Sequence, residues 1–156
     1  FMLKLLVDFP SQDELASILD LTTGAKLPEA QSVCSAANLL EMQLLARDVA
    51  VATEVRQAIA RLIRASHPDL PEAIEPVRKY VRYGSSPRGA QSVLLAAKAR
   101  ALTLGRLNVS LEDVQQVALP CLRHRILLNF EGEAEGIRSE TIVSQLVQSL
   151  RLEVVT

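Results

Sequence analysis

A chain of 156 residues with 49% hydrophobic but only 3% aromatic content and no Trp can fill one domain core, and Ala and Leu must supply most of it. Two cysteines, Cys34 and Cys121, far apart and in no CxxC pattern, exclude a disulfide framework and a zinc site and suit a reducing, cytoplasmic setting, and no apolar run approaches a membrane span. The net charge of −1 hides an asymmetry: residues 77–125 hold nine Lys/Arg against Glu112 and Asp113, whereas both flanks are acidic, which points to an anionic ligand or acidic partner more than to wholesale nucleic-acid binding, with solvated helix faces as the commoner explanation of such a run.

Phe1 to Phe9 alternates Leu3, Leu5, Val7 and Phe9 with Lys4, Leu6 and Asp8 and stops at Pro10, the pattern of a β-strand. No second strand of that quality follows, so the segment is expected to be the last strand of a preceding domain, and Lys4, Asp8 and the lack of a small-residue cleavage site argue against a signal peptide. Ser11-Gln12-Asp13-Glu14 is a capping box opening a short helix with Leu15, Ile18 and Leu19 on one face, ending near Gly24. Ser35 caps a second, with Leu39, Leu40 and Leu44 inward. Val49–Val51 is a brief extended piece, and Thr53 caps an amphipathic helix with Val55, Ile59, Leu62 and Ile63 inside and Arg56, Arg61 and Arg64 outside. His67 to Pro76 holds three prolines and reads as a loop or broken turn.

The run Tyr83-Gly84-Ser85-Ser86-Pro87-Arg88-Gly89-Ala90 is a sharp start to the longest helix, Pro87 to Leu104. Ser86 suits the N-cap, Pro87 the first helical position, and Gly84 and Gly89 a close backbone approach. Arg88 sits against the helix dipole, at a cost of roughly 0.3–1 kcal/mol. A bound anion would reverse that sign, since guanidinium and free N–H groups would both point at it; a solvated or carboxylate-paired Arg88 is the plainer reading. Ala90, Val93, Leu94, Ala97, Ala101 and Leu104 follow a helical repeat to a terminating Gly105. Asn108-Val109 pairs briefly with Val49–Val51, Ser110 to Asp113 caps a helix running to Pro120 with Leu111, Val114 and Ala118 inward, and residues 129–136 form an acidic, glycine-punctuated loop. Ser139 caps a last helix with Ile142, Val143, Leu146, Val147 and Leu150 on one face. The expected fold is all-α, a bundle of about six helices with one unpartnered N-terminal strand.

Catalytic sets are missing. Gly84 to Gly89 has phosphate-loop spacing, but Ala90-Gln91 replaces its Lys-Ser/Thr pair. Glu131, Glu133 and Glu135 lack the ligand ladder of a calcium loop, and His67 and His124 stand alone, so no metal site and no reaction by this chain alone are expected.

The GSSPRGA run, the Ala-rich helix, Gly105-Arg106, Val109 with Glu112-Asp113-Val114, and Leu122-Arg123-His124-Arg125, in this order, resemble the C-terminal lid of MoxR-type AAA+ ATPases, and Phe1 to Glu14 resembles that family's crossing from core to lid. The resemblance implies residues 1–10 as the end of the nucleotide-binding core and residues 11–156 as the lid. It implies Arg88 as the sensor 2 arginine, reaching ATP bound with Mg²⁺ in the core, with Ser86 and Pro87 on the phosphate side. It further implies a hexameric ring, a chaperone role in assembling or activating protein complexes, some with metal cofactors, and a partner with a von Willebrand factor A domain. Arg123 and Arg125 match the family pattern without an assigned role. An autonomous helical module, binding protein or nucleic acid through residues 77–125, is the alternative.

Overall fold

The computed structural model describes residues 1–25 and 29–153, with side chains through Leu150. The chain forms two compact units, residues 1–4 with 44–156 and residues 5–43.

In the smaller unit, α1 (Gln12–Thr23) starts at the expected capping box: the Glu14 N–H donates to Ser11 Oγ at 3.3 Å, and the Ser11 N–H to Glu14 Oε2 at 2.8 Å. α2 (Ala36–Asp48), whose residues from Leu44 on belong to the larger unit, opens with the same reciprocity between Ser35 and Asn38, each backbone N–H donating to the other's side-chain oxygen at 3.1 Å. Neither helix buries a residue, so the expected inward faces, Leu15, Ile18 and Leu19 and then Leu39, Leu40 and Leu44, stand exposed. Periodicity creates an apolar face but does not supply its cover. The N-terminal segment, expected as a strand without a sheet of its own, stays unpaired. Residues 1–9 join no ladder; the Lys4 N–H instead donates to the Pro120 carbonyl at 2.9 Å, and the Phe1 carbonyl accepts from Arg125.

The larger unit holds the core. α3 (Thr53–Ala65) buries Ile59, Leu62 and Ile63 as expected, with Ala58 beside them and Val55 only half-buried, although Ala52, not Thr53, holds the cap position. The Pro-rich stretch already contains the start of α4 (Glu75–Tyr80), since Pro76 sits in the first turn, where its missing N–H removes no helical bond. α5 (Pro87–Thr103) buries Gly89, Ser92, Val93, Ala96, Ala97 and Ala101, a small-residue stripe that lets α6 (Leu111–Leu122) pack closely. α5 ends in a complete Schellman motif: Gly105, at φ +72°, donates its N–H to the Leu102 carbonyl, and the Arg106 N–H reaches the Ala101 carbonyl at 2.9 Å. Leu104, expected inside, is exposed at this cap.

α6 passes through Pro120 instead of stopping there. Burial of Ala118, Cys121 and Leu122 outweighs the lost backbone bond of a proline one turn from the end. The acidic loop holds a short helix, α7 (Phe130–Ala134), capped by Asn129, whose Oδ1 accepts from the Gly132 N–H at 2.9 Å. α8 (Ser139–Glu153) buries Ile142, Val143, Leu146 and Leu150. Ser139 is its first helical residue, and its hydroxyl donates to the Arg123 carbonyl at 2.9 Å instead of capping.

Two short ladders tie the connections. β1 (Ala50–Val51) pairs in parallel with β3 (Asn108–Val109), as expected, and β2 (Val81–Tyr83) pairs antiparallel with β4 (Leu127–Leu128), which was not. The described residues therefore make eight helices and two minimal sheets, a helical bundle in kind with more elements than the sequence pattern suggested.

Candidate functional site

The start of α5 is held against the end of α3 by backbone contacts. A β-carbon on Gly84 would stand 2.4 Å from the Ser66 carbonyl oxygen, so only glycine passes there. The next residue is gripped at both backbone groups. The Ser85 N–H donates to Ser66 Oγ at 2.9 Å, and that hydroxyl in turn donates to the Ile63 carbonyl at 2.6 Å. The Ser85 carbonyl takes His67 Nε2 at 2.9 Å. A carbonyl only accepts, so Nε2 carries the proton. The Ser85 hydroxyl is buried without a partner and faces Gly89, whose added β-carbon would meet it at 2.0 Å.

Ser86 occupies the N-cap with extended backbone, as expected, but its side chain makes no capping bond; its carbonyl accepts from the Gly89 N–H at 2.7 Å. Pro87 is the first helical residue, and the first turn contains no acid. Arg88 is exposed. Its carbonyl accepts from Ser92 Oγ at 2.9 Å, while its guanidinium has no hydrogen bond or ion pair among the described residues. Beside it, Arg56, Ile59, Ala60, Ala90, Gln91 and Leu94 line a shallow apolar groove of about 250 Å³ between α3 and α5.

The other cations of residues 77–125 are engaged. Arg78 donates to the carbonyls of Leu70, Pro71 and Ala73, and Lys98 to that of Arg47. Lys79 pairs with Glu131 and Glu135 at 3.4 Å, and the Tyr80 hydroxyl donates to Glu135, so α4 holds two of the three carboxylates of the acidic cluster. Arg82 stacks on the Tyr83 ring. Arg100 and Arg106 converge on Asp113, which is fully buried and also accepts from the Ser110 N–H and hydroxyl at 2.8 Å. Burial alone would push the Asp113 carboxyl up, but hydrogen bonds from Arg106, Ser110 and Arg100 outweigh it and hold the group well below the usual carboxylate range.

Arg123 and Arg125, without a role on sequence, bond within the unit. Arg123 Nε approaches the Leu119 carbonyl at 3.5 Å; Arg125 bonds the Cys121 carbonyl, Ser92 Oγ and Phe1, fastening the end of α6 to α5. Burial pushes the Cys121 thiol up to about 11, which makes it packing and not a nucleophile. Ser86, Pro87 and Arg88 thus follow one another at the start of α5. The clamp from Ser66 and His67 had no sequence signal beyond a small polar residue and a histidine at a helix end.

These residues fit a phosphate-bearing ligand: an unpaired exposed guanidinium stands at a helix start without acids and without a side-chain cap.

Residues 75–146 match the AAA lid domain family. The chain is 29% identical over 152 residues to the chaperone MoxR1 of Mycobacterium tuberculosis, covering 97% of this chain and 40% of that protein. It is 38% identical over 71 residues to protein MoxR of Paracoccus denitrificans, covering 46% of this chain and 20% of that one. The crystal structure of a presumed ATPase from Cytophaga hutchinsonii superposes with a TM-score of 0.86 at 28% identity, over 95% of this chain and 45% of its own. The chain therefore spans less than half the length of these relatives. Residues 75–146 thus match the AAA lid domain family, and over nearly its whole length the chain is similar to MoxR1 and to the Cytophaga hutchinsonii protein.

Proposed function

We propose that this lid closes over ATP held with Mg²⁺ by a separate nucleotide-binding core, and that Arg88 is its sensor 2 residue. One observation supports the assignment above the others: of the nine cations in residues 77–125, Arg88 alone lacks a hydrogen-bond acceptor, an ion pair or a ring partner among the described residues. A guanidinium placed against a helix dipole, with no internal partner, is stabilised when phosphate arrives and not before. The γ-phosphate of ATP would supply that charge, and Ser86 and Pro87 set where the helix begins beneath it. Closing on phosphate gives the lid two positions that differ with the nucleotide.

In this reading residues 1–10 belong to the end of the core and residues 11–156 to the lid. The whole protein works in the cytoplasm as a hexameric ring, its lids touching their own core and the neighbouring subunit, and acts as a chaperone in assembling or activating protein complexes, including metal-cofactor insertion, beside a partner with a von Willebrand factor A domain. No helix among the described residues is long and apolar enough to cross a membrane. Pairing of Lys79, Arg100 and Arg106 with carboxylates lowers the net positive charge that the nucleic-acid alternative relies on.

The test is Arg88→Ala in the full-length protein. Removing one preorganised charge-stabilising donor lowers turnover about 10²-fold, and Arg88→Lys, which keeps the charge and loses the fork, recovers part of it. Wild-type ATP turnover in Arg88→Ala would refute the sensor assignment.

A further inference from the structure

We infer that His67 is a positioning residue for Arg88, acting through the backbone of Ser85; the inference rests on the reading of Arg88 as the phosphate-sensing arginine. Ser85 lies three residues before Arg88, and little between them can turn. Pro87 has a fixed φ, Ser86 holds the extended backbone of the N-cap, and just beyond Arg88 the Gly89 backbone lies close against the buried Ser85 side chain. The location of the first turn of α5 is therefore set by what holds Ser85. Two adjacent side chains at the end of α3 do so, Ser66 at its N–H and His67 at its carbonyl, both at 2.9 Å. Ser85 is completely buried, so each of its backbone groups would lose its partner without water to replace it.

The histidine reaches across 18 residues of sequence, over the whole Pro-rich connection and α4. Its carbonyl partner accepts from Nε2–H, so the clamp is steric and directional. α3 is itself set in the core by Leu62 and Ile63. The imidazole thus fixes where the guanidinium starts its reach while never meeting the phosphate. A displacement of about 1 Å at a charge-stabilising group is enough to cost 10²-fold in rate.

The experiment measures steady-state ATP turnover of the full-length protein carrying His67→Ala, His67→Gln, His67→Asn, Arg88→Ala and the His67→Ala/Arg88→Ala pair, with rates normalised to folded protein. His67→Ala should lower kcat about tenfold with KM within about threefold. Gln, whose amide NH₂ reaches as far as Nε2, should restore the rate to within about threefold of wild type, whereas the shorter Asn should not. In the Arg88→Ala background His67→Ala should add less than about twofold, because the two act as a unit. Wild-type turnover in Arg88→Ala would remove the premise. Impaired Arg88→Ala beside unimpaired His67→Ala, or a full independent loss in the double variant, would overturn the positioning role alone. Should His67→Ala fail to fold, equal rates for Gln and Asn would overturn it as well.

Discussion

At Gly84 the chain has no room for any side chain: the nearest obstacle to a β-carbon is the Ser66 carbonyl at 2.4 Å, with its carbon at 2.7 Å, and backbone cannot swing aside. Gly84→Ala should therefore destabilise by about 2–3 kcal/mol, at the upper end for overpacking, read as a lowered denaturant midpoint with unchanged slope. An effect below about 0.5 kcal/mol would mean that the α3–α5 contact is looser than described. Five positions on, Gly89 meets only the Ser85 hydroxyl at close range. That hydroxyl is buried and unpaired, so Ser85→Ala should be neutral or stabilising, in contrast to most buried polar truncations. Both glycines were legible in the sequence as sites of close approach, and so was Arg88 as a cation in the wrong place for its helix. What each glycine approaches was not legible, because Ser66 lies 18 residues before Gly84 and belongs to no local pattern. Residue spacing reports backbone conformation well and distant partners poorly.

Helix ends were the most legible elements, since caps are local chemistry. The boxes at Ser11 and Ser110 and the Gly105 terminus stand where the residues put them. Ser86, Thr53 and Ser139 show the limit: each lies at a helix start, yet none of their hydroxyls makes a capping bond. The Ser110 box carries more than a cap, because its acid, Asp113, also binds Arg100 from α5 and Arg106 from the following turn. One carboxylate thereby fastens the end of α5 to the start of α6. Its pKa is depressed on folding, so its stabilisation is present above the unfolded value of about 3.9 and is lost as pH falls through the lower folded value. Asp113→Asn should cost about 2–3 kcal/mol near pH 7, less than a fully buried pair because both arginines keep part of their surface in water. The gap between wild type and Asp113→Asn in urea unfolding should narrow as pH drops below about 4. A gap constant from pH 7 to pH 2 would show that shape, and not charge, makes the Asp113 contribution.

Over the whole chain, apolar periodicity was read correctly but its consequence differs by region. In the larger unit the faces of α3, α5, α6 and α8 close one core, with Leu62, Val93, Ala97, Val114, Leu122 and Leu146 fully buried. Along α1 and α2 the apolar faces bury nothing, and the strand-like pattern of residues 1–9 forms no ladder. A pattern states that a face needs a cover; the chain's own residues decide whether one is present. Stability should divide accordingly. An isolated helix shorter than about 12–15 residues is marginal in water, and α1 adds only its capping box to that. Native-state hydrogen exchange on this chain should show α1 amides exchanging within about tenfold of peptide rates, while those of α5 and α6 exchange only through global unfolding. Denaturant should accelerate exchange at Val93, Ala97 and Val114 with the full unfolding slope and leave α1 nearly unaffected. Protection in α1 equal to that in α5 would mean that its exposed leucines have found a cover in solution, a second copy of the chain included, and a dilution series would then lower that protection if the cover is intermolecular.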